Sequence, residues 1–310
     1  MTPSQLPRGS SITETEEGPL KDGMMNLTLR LPYRTPFATT PLARFLAGHV
    51  VPGLERHDPA SGEHTRTVPT PHGPAVVTVA FDAPGHVTAR LRVMDDADVP
   101  PVVARVRRWL DLDADPLPVD RALSADPLLA PLVAARPGLR VPGAVDGAET
   151  ALLAVLGQQV SLAAARTFAG RLVAAFGAPA PEGLTAFPTP ACLAAAGAQE
   201  LREATGVTGA RARTLHAVAV AAADGLQLDP GADRTATRAA LLALPGIGPW
   251  TSEYVALRAL RDPDAFPSGD LVLRRALGTP TARLAEERAQ SWRPWRGYAL
   301  LHLWTWEVFA

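Results

Sequence analysis

The stretch LPGIGPWTSEY, residues 244–254, decides how the second half of this chain folds. Two glycines and two prolines fall within positions 245–249, and residues with helical periodicity lie on both sides. Glycine permits a positive φ and removes side-chain bulk, and proline fits the first turn of a helix, where its missing N–H does no harm. The stretch therefore predicts two helices joined by a tight turn.

The free N–H groups at the start of the second helix would face outward from this turn. Together with the helix dipole they form an anion site. A DNA phosphate suits such a site, because backbone N–H contacts position a duplex without reading its sequence. Taken alone, the stretch fits equally well a turn whose glycines only let two helices approach closely.

The first part of the chain is rich in strand patterns. Residues 1–22 are polar and predict a disordered tail. Residues 64–93 contain three short β-like runs separated by Pro/Gly turns, with β-branched residues at every second position. Helical patterns at 41–50 and 100–110 flank these strands, and residues 111–120 are typical of a linker.

Farther along, alanine and leucine dominate and the periodicity becomes helical. The predicted helices lie near residues 126–135, 147–160, 162–176, 190–196, 199–204, 209–223, 233–243, 249–261, 271–277, 281–290 and 295–308.

These patterns predict an α+β fold in two parts. An N-terminal antiparallel sheet with flanking helices spans 23–115, and an all-α region spans 116–310. Within the second part, the helix-hairpin-helix covers 233–261, and the loop that follows it covers 262–270.

Composition excludes several kinds of chemistry. The chain has one cysteine, Cys192, so an internal disulfide and a four-cysteine zinc or iron–sulfur site are excluded. Cys192 is expected to be a small buried side chain. Lys21 is the single lysine, so a lysine Schiff base cannot form in the second half. A net charge of −1 argues weakly against a nucleic-acid protein.

We expect the chain to be a cytoplasmic protein. Neither a signal peptide nor a run of about 20 apolar residues is recognisable in the sequence. A monomer is the simplest expectation for its oligomeric state.

The hairpin and the following DPDAFPSGDLVLRRAL, residues 262–277, resemble the helix-hairpin-helix, Gly/Pro-rich loop and aspartate of the base-excision DNA glycosylases. Within that superfamily the chain is most similar to the bacterial 3-methyladenine DNA glycosylase II, or AlkA, type. The similarity extends to residues 156–172, 206–215 and 293–304, and it covers most of 120–310. The N-terminal segment is similar only in its architecture and in LPYRTPF, residues 31–37.

The resemblance implies that Asp270 is the catalytic aspartate. Its position before an amphipathic helix also fits a helix N-cap, and the two roles are compatible. An ionised aspartate beside a sugar stabilises the oxocarbenium-like cation that forms as an N-glycosidic bond breaks, and it can orient or deprotonate the attacking water.

The resemblance also implies a monofunctional enzyme without AP-lyase activity. Relatives that cut the DNA backbone have a lysine just after the hairpin glycines, where this chain has Trp250. We therefore expect water to be the nucleophile. The missing cysteine cluster separates the chain from the iron–sulfur branch of the superfamily, and no cofactor is expected for catalysis.

Aromatic residues concentrate near the C-terminus, although they make up only 5% of the chain. Trp250 and Tyr254 share a helix face, and Trp304 matches the stacking tryptophan of the family. An aromatic cleft binds a cationic 3- or 7-alkylated purine by stacking and cation–π attraction. Leu271 is the fourth expected pocket residue. The other tryptophans of this region are expected to pack in the core: Trp292, Trp295 and Trp306.

A flipped base leaves a gap in the duplex that a wedge residue fills. The family has this wedge in the turn GQQVS, and the resemblance implies that it is Gln159, a position at which relatives have leucine. Gln158 stands beside it. Leu271 and Gly269 also differ from the best-known relative, which has a tyrosine and an acidic residue there. These departures leave the preferred lesion open.

Two further sets of residues are assigned to DNA binding. We expect phosphates to contact five positions: Gly246, Gly248, Thr251, Thr208 and Arg211. The backbone carbonyls of Leu242, Leu244 and Ile247 resemble the monovalent cation site of the family, which would hold Na⁺ or K⁺.

The predicted function is the release of alkylated bases from double-stranded DNA in base-excision repair. Two alternatives stay open: a glycosylase for another lesion, such as hypoxanthine or an oxidised or deaminated base, and a non-catalytic protein that binds damaged DNA. The aspartate and the aromatic cleft argue against the second, because a phosphate clamp needs neither.

Overall fold

The computed structural model describes residues 11–12 and 23–309. Its main sheet is antiparallel, with the order β1-β2-β6-β5-β4-β3. The strands are β1 Ser11–Ile12, β2 Met25–Pro32, β3 Glu55–His57, β4 His64–Val68, β5 Ala75–Ala83 and β6 His86–Val93, and a separate short pair comprises β7 Ala178–Pro179 and β8 Thr185–Ala186. Most of the predicted disordered tail lies outside the described residues, but Ser11 and Ile12 pair with β2, so the prediction was wrong for these two.

Alternation along the strands builds the first core. β2 and β6 pair over their full length, from Met25 opposite Val93 to Pro32 opposite His86. Their inward side chains, such as Leu29 and Leu91, pack against two helices, α1 Thr39–Gly48 and α2 Val99–Trp109. This agrees with the predicted sheet and flanking helices.

Residues 111–120, expected to be a linker, contain part of a helix instead. Helix α3, Pro116–Leu123, starts after Asp115, whose side chain accepts from the Leu117 N–H. The sequence pattern did not indicate this helix, because it contains prolines at 116 and 118. Pro116 stands in the first turn, where proline is tolerated. Asp111 is only 2% exposed, so this segment belongs to the packed interior.

The helical part follows the predicted sequence of elements, except that residues 190–205 form one helix, kinked at Gly197, where two helices at 190–196 and 199–204 were predicted. Its helices are α4 Ala130–Ala135, α5 Gly147–Leu156, α6 Leu162–Phe176, α7 Pro190–Thr205, α8 Gly209–Ala223, α9 Arg234–Leu242, α10 Pro249–Arg258, α11 Leu271–Ala276, α12 Ala282–Arg288 and α13 Arg296–Phe309. The predicted bounds of α6 and α8 are confirmed, and both helices start at hydroxyl N-caps, Ser161 and Thr208. The α+β fold is therefore confirmed.

Two apolar cores stabilise the helical part, and α10 contributes to both. Val255 packs in the core built mainly by α5 to α9. Leu257 packs in the core built by α3, α4 and α11 to α13. The C-terminal half of α10 therefore lies where the two cores meet.

Two predictions of burial were wrong, and two were confirmed. Trp292 is 2% exposed and Trp295 packs partly buried against the same core. Trp306 is 38% exposed, because it lies on the outer face of α13, and Cys192 is exposed on α7. Within the described residues, every helix is too short or too polar to cross a bilayer.

Candidate active site

Asp270 lies at the N-cap of α11, at the end of the loop 262–270. Its Oδ1 accepts from the Leu273 N–H at 2.8 Å, and its own N–H donates to the Pro267 carbonyl at 2.8 Å. The N-cap bond satisfies a backbone donor that would otherwise have no helical partner. The aspartate is thus fixed by the helix that it begins.

Two indoles hold the same carboxylate from the other side. Trp250 Nε1 donates to Oδ2 at 2.9 Å, and Trp304 Nε1 donates to Oδ1 at 3.0 Å. The donors come from α10 and α13, which are far apart in sequence. N–H groups directed at a carboxylate stabilise its charged form and fix its orientation.

The aromatic side chains form one wall of a cleft beside Asp270. The rings of Trp250 and Tyr254 stack with centroids 5.2 Å apart and planes at 15°. Trp304 is tilted against Tyr254, with centroids 6.5 Å apart. The structure therefore brings together Asp270 and the three aromatic residues predicted for the pocket.

Arg258 holds this wall from behind. Its guanidinium donates to Tyr254 Oη at 2.7 Å and to the Gly143 carbonyl at 3.1 Å, and also to the Pro142 carbonyl. It lies over the ring of Phe45 at 4.7 Å. The cation therefore connects the hairpin to the N-terminal part of the chain.

The cleft has a volume of about 520 Å³ and extends to helix α1. Phe45 of α1 and His49, which follows α1 directly, line it together with Asp270 and the aromatic wall. Sequence reasoning missed both, since a Phe and a His four residues apart on a predicted helix fit ordinary core packing. Only the packing of α1 against the helical part identifies them.

Leu271 does not line the cleft, which corrects its predicted place in the pocket wall. Its side chain is 66% exposed, and the next residue, Val272, lines the cleft instead. The reason is helical geometry: successive side chains around the first turn of α11 point about 100° apart. A residue that follows Asp270 directly therefore faces a different side.

The hairpin turn contains two glycines in different conformations. Gly246 has φ +80°, and a Cβ there would collide with Thr214 Oγ1. Gly248, the N-cap of α10, has φ −106° and ψ 178°, and among the described residues nothing lies within 4 Å of a Cβ placed there. Gly246 is thus required by the fold, whereas Gly248 leaves space open above the start of α10.

The two glutamines of the turn after α5 point in different directions. Gln158 Nε2 donates to the Gly246 carbonyl at 3.1 Å and to Thr251 Oγ1 at 2.9 Å. Gln159 is exposed and has φ +52°, a backbone conformation that is uncommon outside glycine. Gln158 therefore connects this turn to the hairpin, and Gln159 projects from the surface.

The other three residues assigned to phosphates differ in exposure. Thr208 is exposed at the N-cap of α8. Arg211 is half-buried and donates to the Gln158 carbonyl. Thr251 is only 3% exposed, so its hydroxyl faces Gln158, and its backbone N–H in the first turn of α10 is the group left for an anion.

The carbonyls assigned to a cation lie around the hairpin turn. Leu244 O accepts from the Ile247 N–H at 3.2 Å. Within residues 23–309, the carbonyls of Leu242 and Ile247 accept no hydrogen bond from another protein group. Unpaired carbonyl oxygens are ligands that suit a hard monovalent cation.

Ion pairs anchor the loop that carries Asp270. Arg238 pairs with Glu253 at 2.7 Å and with Asp262 at 2.6 Å. Glu253 Oε2 also accepts from the Phe266 N–H at 2.9 Å. Arg296 pairs with Asp264 at 2.8 Å. These contacts join the first part of the loop, residues 262–266, to α9, α10 and α13.

Two family models match the chain. Residues 28–146 match the model described as the AlkA N-terminal domain, and residues 152–290 match that of the HhH-GPD superfamily base excision DNA repair protein.

Similar proteins of known sequence carry related names. The probable bifunctional transcriptional activator/DNA repair enzyme AlkA of Mycobacterium tuberculosis is 47% identical over 288 residues, which are 90% of this chain but only 57% of that protein. DNA-3-methyladenine glycosylase 2 of Escherichia coli is 35% identical over 282 residues, which are 88% of this chain and 95% of that protein.

Solved structures show the same fold. A 3-methyladenine DNA-glycosylase from Archaeoglobus fulgidus superposes with a TM-score of 0.79 at 22% identity, over 90% of this chain and 98% of that chain. An 8-oxoguanine glycosylase/lyase of Clostridium acetobutylicum, in complex with double-stranded DNA, gives a TM-score of 0.69 at 17% identity, over 91% of this chain and 94% of that chain.

Proposed function

Because the chain belongs to the HhH-GPD superfamily of base excision DNA repair proteins, we propose that it is a monofunctional DNA glycosylase that releases alkylated purines from double-stranded DNA. One observation carries the proposal: Asp270 is held by two tryptophan N–H groups at the edge of an aromatic cleft. A protein that only grips phosphates needs neither the carboxylate nor the cleft.

The geometry supports a dissociative mechanism. The bond between C1′ and the base nitrogen breaks, and its electron pair leaves with the base. The Asp270 carboxylate stabilises the positive charge that develops on the sugar, and water adds to C1′ and loses a proton. An N3- or N7-alkylated purine is already cationic, so it leaves without a strong general acid.

The nucleophile in this mechanism is water. Trp250 stands where lyase relatives have a lysine, and its indole N–H is directed at Asp270. The single lysine of the chain, Lys21, belongs to the N-terminal 22 residues. None of the described residues that line the cleft is a lysine that could form a Schiff base with the sugar.

The hairpin is the proposed phosphate site. Within the described part of the chain, the amides of Gly246 and Gly248 donate to no other protein group, and the space above Gly248 is open. Thr208 and Arg211 extend this surface, and exposed Gln159 is the proposed wedge. A Na⁺ or K⁺ bound by the carbonyls of the turn would draw the phosphate closer from the protein side.

Other features of the proposal follow from the substrate. An enzyme that acts on chromosomal DNA works in the cytoplasm, at the nucleoid. Searching a duplex for damage requires one binding surface, so we propose that the protein acts as a monomer.

The decisive test is the Asp270→Asn variant. Asparagine keeps an N-cap oxygen but removes the negative charge, so base release from methylated DNA should fall by more than a hundredfold. Affinity for DNA with an abasic site should stay within a few-fold.

Asp233→Asn is the matched control, because Asp233 caps α9 in the same way but lies outside the cleft. Equal base release by Asp270→Asn and wild type would refute the proposal. A wild-type protein that binds damaged DNA but releases nothing would favour the non-catalytic alternative.

One observation favours a second candidate, a glycosylase for uncharged lesions. Arg258 and Arg166 line the same cleft, and their positive charge opposes a cationic base. Duplexes that each contain a single lesion, such as hypoxanthine, 8-oxoguanine or 7-methylguanine, decide between the two. Faster release of hypoxanthine than of 7-methylguanine would support this second candidate.

A further inference from the structure

His49 presents an unusual polar group to the cleft. It follows the last residue of α1, and its ring stacks on Phe45, four residues earlier, with centroids 3.9 Å apart and planes at 19°. Its Nδ1 lies 2.7 Å from the Phe45 carbonyl oxygen. The stack and this bond together fix the orientation of the imidazole where helix α1 meets the cleft.

The hydrogen bond also fixes the tautomer. A carbonyl oxygen only accepts, so the proton of the neutral ring resides on Nδ1. Burial, followed by the positive charges of Arg258 and Arg166, lowers the pKa of His49 to about 4, although the bond to Phe45 acts in the opposite direction. The ring is therefore neutral at physiological pH, and Nε2 has a free lone pair.

Nε2 is the ring nitrogen that the bond to Phe45 leaves unused. His49 is only partly buried and lines the cleft, and among the described residues no group forms a hydrogen bond with Nε2. The carboxylates that line the cleft are already engaged: Glu55 and Glu149 pair with Arg66 at 2.8 and 2.6 Å, and Asp270 accepts from the two indoles. His49 Nε2 is thus an acceptor that the fold leaves unused.

A flipped purine offers donors to match this acceptor. The base-pairing edge of adenine carries the N6 amino group, and that of guanine carries N1–H and the N2 amino group. A positive charge on an alkylated base makes these N–H groups stronger donors. Asp270 acts at the sugar, so these N–H groups meet the acceptors that the rest of the cleft wall supplies, and His49 is one of them.

We propose that His49 is a specificity-determining residue that accepts a hydrogen bond from the N–H edge of the flipped purine. The assignment rests on the proposed glycosylase function. The hydrogen bond to His49 would make purines with a free N–H edge better ligands than purines in which alkylation has replaced those hydrogens. A site built to bond an N–H group discriminates strongly against analogues that lack it, because its buried acceptor is then left unpaired.

Binding of free bases to the full chain tests this inference without catalysis. 3-Methyladenine has the amino edge, whereas in 1,N6-ethenoadenine a second ring replaces its N–H bonds. Quenching of tryptophan fluorescence in the cleft should show that the wild type binds 3-methyladenine about tenfold to a hundredfold more tightly. His49→Phe keeps a flat ring on Phe45 but removes the acceptor, so it should bind both bases with equal affinity.

The matched control is His216→Phe. His216 also makes one side-chain bond to a backbone carbonyl, that of Ala194 at 3.0 Å, but it does not line the cleft. This variant should keep the wild-type preference. The inference is overturned if His49→Phe weakens both bases equally or changes neither.

Two further comparisons keep the test decisive. If His49→Phe does not fold, the affinities of the wild type for 3-methyladenine and for its N6,N6-dimethyl derivative are compared. Equal affinities overturn the inference. A protein with the expected preference that releases no base from DNA would refute the proposed function but support His49 as the acceptor. Base release without this preference would refute only the role of His49.

Discussion

At the scale of single residues, Asp270 depends on hydrogen-bond donors that come from three helices. Its oxygens accept from the backbone of α11 and from the indoles of Trp250 and Trp304. Each indole has two functions, because its ring belongs to the aromatic wall while its N–H orients the carboxylate. The packing of the aromatic wall and the orientation of the aspartate are therefore coupled.

This coupling predicts the effect of Trp250→Phe. Phenylalanine keeps an aromatic ring beside Tyr254 but removes the donor to Asp270 Oδ2. The rate of base release under single-turnover conditions should fall about tenfold to a hundredfold, with little change in DNA affinity, since a hydrogen bond to a charged group contributes ~1.5–3 kcal/mol.

Trp292→Phe provides the control for this prediction. Trp292 Nε1 also donates to a carboxylate, Asp126 at 2.8 Å, but in the core behind the cleft. That variant should lose thermal stability and keep its rate. If the two variants release base equally fast, the indole of Trp250 does not orient the reacting carboxylate.

At the scale of elements, the hairpin and the turn after α5 form one unit. Gln158 bonds the Gly246 carbonyl and the Thr251 hydroxyl, and Arg211 of α8 bonds the Gln158 carbonyl. The proposed wedge and the proposed phosphate site are therefore fixed relative to each other. If the two proposed roles hold, this arrangement positions the wedge for the duplex interior and the hairpin for the duplex backbone at the same time.

The two hairpin glycines predict opposite outcomes on substitution by alanine. Gly246→Ala should lower the melting temperature, because its Cβ collides with Thr214 and its φ is +80°. Gly248→Ala should melt like the wild type, since its backbone is extended and the space around it is open.

The affinity for DNA is a second property in which the Gly248→Ala variant is expected to change. A methyl group at Gly248 lies between the amides and the phosphate, so the affinity of this variant for abasic DNA should fall about tenfold. Binding titrations and thermal melts of both variants check the pair. A Gly248→Ala variant with unchanged affinity would show that the phosphate does not approach this turn.

At the scale of the whole molecule, the cleft forms where the sheet, α1 and the two helical cores meet. Arg66 of β4 pairs with Glu149 of α5, and Arg261 pairs with Asp111 at 2.5 Å. These buried ion pairs connect the N-terminal part to the helical part. The sheet therefore supports the helix that supplies Phe45 and His49 to the cleft.

A buried histidine at this junction predicts a pH dependence of stability. His64 is 2% exposed, and within residues 23–309 neither ring nitrogen has a hydrogen-bond partner. Burial, followed by the charge of Arg66, lowers its pKa from 6.5 to about 3. Below pH 6.5 the unfolded chain therefore binds a proton that the folded chain does not bind. Because this proton favours the unfolded chain, the free energy of unfolding decreases as the pH falls from 6.5 towards 3.

His64→Leu should remove this pH dependence. Chemical unfolding at pH 8 should give similar stabilities for the variant and the wild type. Between pH 8 and pH 5, the difference in the free energy of unfolding between the variant and the wild type should shift by ~2 kcal/mol in favour of the variant. A difference that does not change between pH 8 and pH 5 would contradict the neutral state of His64.

The sequence by itself was sufficient for the α+β fold, for the helix-hairpin-helix and for the place of Asp270 before a helix. Periodicity and capping act over a few residues, so they are readable in a linear chain. Trp250, Tyr254 and Trp304 were assigned through their resemblance to a family, and the structure brings their side chains together beside Asp270.

Only the tertiary structure decided the rest of the cleft. Leu271 was expected in its wall and lies outside, because one residue of helix rotates a side chain by about 100°. Phe45 and His49 line the cleft, although nothing in their local sequence distinguishes them from core residues. Their role depends on how α1 packs against a hairpin 200 residues away, and long-range packing of this kind leaves no short-range pattern in the sequence.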